Sequence, residues 1–325
     1  MVQSIIGAKA ATAAKAPLVQ RLVVDEGSEG QRLDNFLLRV LKGVPKTHVY
    51  RVIRSGEVRV NKGRVSADTR LVLGDEVRVP PVRMAEPAAA GVAAPARQFS
   101  VIFEDEHLLA IYKPAGVAVH GGSGVAYGVI EQLRRARPTA KFLELVHRLD
   151  KDTSGVLLLA KKRSALTALQ DQFRDRKTDK LYAALVFGRW PANKKVIDVA
   201  LHKTLDAHGE RHVRPVAADH LDGRRSITLV KVVRNFDRFT LLDVTLKTGR
   251  THQIRVHLAS EGQPIVGDPK YGDFALNREL ARGEHRFARM FLHARQLVFE
   301  HPASGERMTL AANLPEECAT LLGKL

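Results

Sequence analysis

The densest group of reactive side chains in the sequence is HRLDKDTSG, residues 147–155. His147, Arg148, Asp150, Lys151 and Asp152 stand as one charged cluster directly ahead of the apolar run VLLLA. In an extended segment alternate side chains share a face, so Arg148 and Asp150 point one way and Leu149 the other. Thr153, Ser154 and Gly155 then read as a tight polar turn. A single carboxylate held there can serve as a nucleophile or a base. Asp150 and Asp152 are i, i+2 neighbours, and that spacing alone does not establish the carboxylate pair of glycoside hydrolysis. A salt-bridged loop would use the same residues, and composition does not separate the two.

Three further groups carry chemistry. In TGRTHQIRVH, residues 248–257, Arg250, His252, Arg255 and His257 follow a Thr-Gly turn. Two arginines and two histidines can clamp a phosphate or hold a carboxylate, and a basic helix face would look alike. No zinc site is expected, because HExxH is absent and no cysteine or third ligand stands nearby. In KLYAALVFG, residues 180–188, Lys180 and Tyr182 lead an apolar strand. Taken alone, Tyr182 reads as a core aromatic with a satisfied hydroxyl. In HGGSG, residues 120–124, the glycines allow close approach of backbone to a ligand. The Lys-Ser/Thr ending of a phosphate loop is missing, and no G-x-S-x-G nucleophile elbow exists to support a hydrolase.

The elements that must position these groups are legible in outline. Residues 80–97, PPVRMAEPAAAGVAAPAR, have no periodic apolar face and read as a linker. The expected organisation is a flexible leader over 1–17, a small domain over 18–82, a linker over 83–97 and a large domain over 98–325. In the small domain, Leu33, Phe36, Leu37 and Val40 share one helical face. Thr47 can cap a second helix through Val49, Val52 and Ile53, with Gly56 ending it. Val58 and Val60, the Asn61-Lys62-Gly63 turn, and Val77 with Val79 predict a small sheet. In the large domain, strands are predicted at 99–103, 108–112, 156–160, 181–187, 227–233, 239–246 and 295–299. Helices are predicted at 126–136, 164–175 and 252–260. Strands that follow one another without a helix between them predict an α+β fold with a mixed, mainly antiparallel sheet. The 202–226 stretch carries no distinctive pattern.

Charge narrows the partner. The 325 residues hold 52 Lys+Arg against 35 Asp+Glu, a net +17. An excess of this size points to a polyanion. No run of 18 apolar residues exists to span a membrane, and one cysteine excludes a disulfide framework, so a reducing cytoplasm is the expected setting. Between 42 and 64 stand Lys42, Lys46, Arg51, Arg54, Arg59, Lys62 and Arg64 against Glu57 alone, a net +6. A solvated helix face normally mixes signs, so a cluster of nearly one sign is better explained by phosphate contacts.

Two stretches carry a resemblance. QRLDNFLLRVLKGVPKTHVYRVIRSGEVRVNKGR is similar to an S4 domain, a small RNA-binding module. LVHRLDKDTSGVLLLAKK, KLYAALV and TGRTHQIRVH, in that order, resemble the motifs of the RluA-type pseudouridine synthase family. The resemblance runs from about 20 to about 320 and implies an S4 domain followed by a pseudouridine synthase catalytic domain. It implies that Asp150 is the catalytic carboxylate and that Arg255 pairs with it. Tyr182 would pack on the target base and assist proton removal from C5. Arg148 would fill the gap left by a flipped uridine, and Ile254 would line the pocket. GVPKTHVYRVIRSGEVRVNKGR, AVHGGSGVAYGVIEQLR and FLELVHRLD are most similar to members acting on large-subunit ribosomal RNA, so 23S ribosomal RNA is the expected partner. Isomerising uridine involves no net redox change, so no cofactor or metal is expected, and a monomer is the simplest assembly. The same chemistry on a different RNA would share the catalytic motifs, and a non-catalytic RNA-binding or assembly protein would share the charge and the S4 module. It would have no need of Asp150, Tyr182 and Arg255 together.

Overall fold

The computed structural model describes residues 18–41, 43–82, 94–122, 125–205 and 211–325. They fall into two compact units, one within 1–91 and one within 92–325. The leader expected over 1–17, most of the linker expected over 83–97, and Lys42 lie outside the described residues.

The first unit runs β1 (Gln20–Val23), α1 (Leu33–Val40), α2 (Lys46–Arg54), β2 (Arg59–Val60) and β3 (Glu76–Val79). The strands form an antiparallel sheet in the order β1-β3-β2. Leu33, Phe36 and Leu37 of α1 pack with Val49, Val52 and Ile53 of α2 over Val58, Val77 and Val79. This is the helix pair and small sheet expected from the periodicity, with β1 added to the edge. Thr47 does not cap α2. Pro45 holds that position, and Thr47 stands exposed in the first turn. Proline suits a helix start because its ring presets φ and the first N–H groups have no intrahelical acceptor. Asn61 and Lys62 have φ of +48° and +68°, and Gly63 N–H donates to the Val60 carbonyl at 2.8 Å. Positive φ at both central residues is the geometry of a tight hairpin turn.

The second unit runs β4 (Val101–Glu104), β5 (Leu108–Lys113), α3 (Val129–Ala136), β6 (Glu144–Leu145), β7 (Ser154–Ala160), α4 (Arg163–Arg174) and β8 (Asp179–Phe187). It continues with β9 (Val196–Leu205), β10 (Arg211–Val216), β11 (Arg224–Asn235), β12 (Phe239–Leu246) and α5 (Gln253–Ser260). It ends with α6 (Phe274–Arg282), β13 (Leu292–Glu300), β14 (Arg307–Ala311) and α7 (Glu316–Lys324). The strand order is β10-β9-β11-β12-β8-β13-β7-β5-β4, with β14 on β13 and β6 on β7. Among the described strands only β13 and β7 pair in parallel, so the sheet is mixed and mainly antiparallel.

The central strands are covered on both faces. Leu109, Ile111, Leu157 and Leu159 join one cluster with α3 and α5. Leu108, Ala110, Val156, Leu158 and Ala160 join another with Ala165, Leu166 and Leu169 of α4. A strand buried on both sides needs apolar residues at every position, which is why β5 and β7 read as continuous apolar runs. Strand β10 hid in the sequence for the opposite reason. It is an edge strand, and an edge tolerates both Pro215 and the charges of RHVRPV. Helix α6 has a local start signal in its capping residue: the Asp273 side chain accepts from the N–H groups of Ala275 and Leu276. Helix α3 begins at Val129, later than the predicted 126, because Glu131 reaches back to the Gly128 N–H at 2.7 Å.

Thr153-Ser154-Gly155 is not a tight turn. Ser154 and Gly155 begin β7 and pair with His293 and Ala294 of β13, and the turn lies at residues 151–152. Gly155 has φ of +118°, and a Cβ there would overlap the Ala294 carbonyl. No other residue fits a backbone this close to its neighbour. Gly155→Ala is expected to destabilise the second unit by at least about 2 kcal/mol, from overlap and backbone strain together. Chemical denaturation should show a lower midpoint. An unchanged midpoint would mean that the parallel pairing is not required.

Candidate active site

Helix α5 assembles the site because its side chains divide among three directions. Gln253 and His257, one turn apart, turn to β11: Gln253 donates to Ile227 O and Thr228 Oγ1 at 3.0 Å, and His257 Nδ1 lies 2.8 Å from Thr228 Oγ1. Ile254 and Leu258 join the apolar cluster beneath the sheet. Arg255 takes the remaining direction, toward Asp150. Residues 253–258 are all buried, so each polar side chain among them requires a partner, and each has one. His252 starts the helix at φ of +52°, which turns its ring to the same side as Arg255.

The centre is a chain of charges. Arg255 Nε and Nη2 donate to the two carboxylate oxygens of Asp268 at 2.8 and 2.9 Å. Arg255 Nη1 donates to Asp150 Oδ2 at 3.2 Å. His252 Nε2 lies 4.0 Å from the same oxygen, and its Nδ1 lies 2.8 Å from the Tyr271 hydroxyl. The Tyr271 ring sits 5.1 Å from the guanidinium carbon. Burial works against the charge on Arg255, but Asp268 and then Asp150 outweigh it and hold Arg255 above the usual arginine range. Burial likewise opposes ionisation of Asp268, and Arg255 with the backbone N–H groups of Tyr271 and Lys270 brings its carboxyl below the usual range. Asp268 is wholly buried, whereas the Asp150 side chain keeps 28% of its surface exposed. Asp150 is therefore the end of this chain that a ligand can reach.

Asp150 opens into a cavity of about 620 Å³. Arg148, Tyr182, Ile254 and His252 are among its walls. Tyr182 stands mid-sheet, paired with Val244 of β12 and Ala294 of β13. Burial and then the Asp150 charge push its phenol well above the ordinary range, so it is protonated at neutral pH. Arg148 is exposed, Leu149 is buried, and the alternation expected of 147–150 is present. The structure thus gathers Asp150, Arg255, Tyr182, Arg148 and Ile254 around one space.

Other expectations change. His147 is not part of the charged cluster. Its Nε2 accepts the Leu158 N–H at 3.1 Å, its ring stacks on Phe173, and burial brings its pKa down to about 4. His257 faces the sheet rather than the cavity. Arg250 is exposed on the cavity wall, and His120 reaches the same wall, while Ser123 and Gly124 of HGGSG lie outside the described residues. Of the basic cluster in the first unit, Lys46, Arg51, Arg54, Lys62 and Arg64 are exposed and Arg59 is half-buried. Among the described residues no group of three His, Cys, Asp or Glu is placed to hold a metal ion.

Two residues escaped the sequence reading. Asp268 lies in GDPKYG, where Gly and Pro announce a turn but nothing announces a partner for Arg255. Lys113 is fully buried, and its Nζ donates to the carbonyls of Pro114, Val117 and Lys151 at 2.8–2.9 Å. Burial brings it down to about 7 against the pull of Asp152 and Asp150. The contact with Lys151 pins the loop that follows Asp150. A lysine inside an apolar strand gives no sign in sequence of which carbonyls it will meet.

With this geometry in view, the family can be stated. Residues 107–260 match the RNA pseudouridylate synthase model, and residues 31–77 match the S4 domain. The chain belongs to the RNA pseudouridylate synthase family and carries an N-terminal S4 domain. It is 48% identical over 307 residues to ribosomal large subunit pseudouridine synthase C of Yersinia pestis, covering 93% of this chain and 94% of that one. It is 46% identical over 316 residues to the protein of the same name from Escherichia coli strain K12, covering 96% and 98%. Among solved structures, human RNA pseudouridylate synthase domain containing 4 is 26% identical with a TM-score of 0.57, covering 69% of this chain and 92% of that one.

Removing Asp268 would leave Arg255 buried with one side unpaired. Asp268→Ala is expected to cost about 3 kcal/mol of stability at pH 7. Asp268 has its carboxyl lowered by folding, so its contribution is full above the unfolded carboxylate pKa of about 4 and fades as pH falls through the folded value. Urea titrations of both proteins should therefore differ most at neutral pH and converge in acid. A constant difference down to pH 3 would refute the linkage.

Proposed function

We propose that this protein converts uridines of 23S ribosomal RNA to pseudouridine, with Asp150 as the reacting carboxylate on a uridine flipped into the cavity. The observation that carries the reading is the Asp150–Arg255–Asp268 chain, in which one of two carboxylates is left open to a nucleotide-sized space. The likeness to synthases named for the large ribosomal subunit, over nearly the whole chain, supports the substrate.

The chemistry asks little else of the site. The N1–C1′ bond breaks, the uracil turns, C5 joins C1′, the C5 proton leaves and N1 gains one. The sum is an isomerisation with no net change of oxidation state. Asp150 acts on the sugar, as nucleophile or as base. Arg255, fixed from behind by Asp268, keeps a positive charge beside it through each step. A uridine must leave its helix to reach this depth, and something must take its place in the stack. Arg148, exposed at the wall, has the planar cation for that. The protonated Tyr182 suits packing against the base and donation to it better than removal of the C5 proton. Ile254 completes the apolar side. The first unit would grip RNA backbone through Lys46, Arg51, Arg54, Arg59, Lys62 and Arg64, with Lys42 joining them from the sequence.

Asp150→Asn should bind a 23S ribosomal RNA transcript with affinity close to wild type and form pseudouridine at least about a thousandfold more slowly. Chemical mapping of pseudouridine in the transcript reads this, and conversion at the wild-type rate would remove Asp150 from the mechanism. Changing Lys46, Arg51 and Arg54 together to Ala should weaken binding and flatten the slope of log Kd against log salt by about two to three, since each lost phosphate contact removes about 0.7 to 0.9 of a unit. An unchanged slope would mean that this face does not meet the RNA.

A further inference from the structure

His252 lines the active-site cavity, and its neighbours dictate where its ring proton sits. The Tyr271 hydroxyl oxygen accepts the Val213 N–H at 3.2 Å. That N–H is available because β10 is an edge strand, with a neighbouring strand on one side only. The hydroxyl proton is left to donate, and among the described residues it meets His252 Nδ1, 2.8 Å away. Burial holds the imidazole below the usual histidine range, with Arg255 and Lys270 adding to the effect and Asp150 opposing it. The ring is therefore neutral at pH 7 and carries one proton. Nδ1 accepts from Tyr271, so that proton sits on Nε2. Nε2 faces Asp150 Oδ2 across 4.0 Å, too far for a direct hydrogen bond.

A donor and an acceptor at this separation leave room for one atom that is both. A hydroxyl oxygen is such an atom: it can accept from Nε2 and donate to Oδ2 through two bonds of about 2.8 Å. Uracil has no hydroxyl. Within an RNA chain the 3′ and 5′ oxygens of a ribose are phosphodiesters, so the one hydroxyl that a flipped uridine brings is its 2′-OH. We propose that His252 donates from Nε2 to the 2′-hydroxyl of the reacting uridine, that this hydroxyl donates to Asp150, and that Tyr271 holds the imidazole in the tautomer the contact requires. The contact rests on the reading of this cavity as the uridine site. His252 is then a catalytic residue and Tyr271 a positioning residue. The two carboxylate oxygens of Asp150 divide their work. Arg255 and the hydroxyl both address Oδ2, which leaves Oδ1 to act on the sugar. One atom separates Oδ1 from Oδ2, as one atom separates C1′ from O2′, so a ribose held at Oδ2 by its 2′-OH brings C1′ to Oδ1. A deoxyribose would supply neither half of the bridge, and the site selects ribose. The left-handed backbone at His252, with φ of +52°, turns the ring into this place.

The test uses the full-length protein and a short RNA spanning a uridine that the wild type modifies in a 23S ribosomal RNA transcript, with single-turnover rates as the readout. His252→Asn keeps a residue that tolerates the left-handed backbone and removes the donor at the Nε2 position. At saturating RNA it should react at least about tenfold more slowly, with the half-saturating RNA concentration changed by no more than about twofold. His252→Gln carries an amide N–H to the Nε2 position and should return to within about threefold of wild type. Tyr271→Phe should slow the wild type about threefold and should slow His252→Asn no further, because it acts through the imidazole. With 2′-deoxyuridine at the target, the wild type should slow at least about thirtyfold and His252→Asn by no more than about fivefold. Thermal melts of each variant confirm folding. Equal losses in His252→Asn and His252→Gln overturn the contact whatever the deoxyuridine RNA does. Full wild-type discrimination against 2′-deoxyuridine in His252→Asn, or a Tyr271→Phe loss that persists there, overturns it too, while the uridine site stands. If the wild type forms no pseudouridine in the transcript, the functional reading fails and the contact falls with it.

Discussion

Arg255 is claimed by two carboxylates, and the site depends on how unequally they hold it. Asp268 takes two guanidinium hydrogen bonds in full burial, and Asp150 takes one at the cavity edge. A buried arginine without Asp268 would be an uncompensated charge in a low-dielectric interior, and several kcal/mol would go into relieving it. With Asp268 in place the cation is permanent and its direction is set. Asp150 then has a fixed positive neighbour and still keeps an open side. One ion pair supplies the electrostatics, and the second carboxylate is free to meet a ligand.

The remainder of the second unit can be understood as what this arrangement needs. A helix buried on all sides carries Arg255, so its other polar residues must be satisfied by the sheet, and Gln253 and His257 are. The Asp150 loop must hold still, and Lys113 anchors it from inside β5 through the Lys151 carbonyl. The loop must also enter the sheet at once, which puts Gly155 against Ala294 in the described sheet's parallel pairing. Tyr182 reaches the cavity from β8, flanked by strands on both sides, so its ring is rigidly placed.

The sequence was legible where periodicity or residue chemistry is local. The helix face of Leu33, Phe36 and Leu37, the Asn61-Lys62 turn, and the apolar runs of β5, β7 and β8 are all local patterns. It was misleading where a partner distant in sequence decides the role. His147 looked charged beside Asp150 and is a neutral acceptor, because Leu158 points an N–H at it. Thr153-Ser154-Gly155 looked like a turn and is a strand entrance, because β13 lies alongside. Strand β10 looked shapeless because an edge strand has only one neighbour to satisfy.

By itself, the sequence determined the two-part organisation, the α+β class, the surplus positive charge, and the residues that came together as a site. These follow from composition, spacing and motifs in which the chemistry sits close along the chain. Only the tertiary structure decided that Arg255 is anchored by Asp268, thirteen residues on, before it reaches Asp150, more than a hundred residues back. Only it decided that burial and the Asp150 charge oppose ionisation of Tyr182. Burial and charge pairing depend on which elements pack together, and that is a property of the assembled sheet and helices rather than of any one stretch of chain.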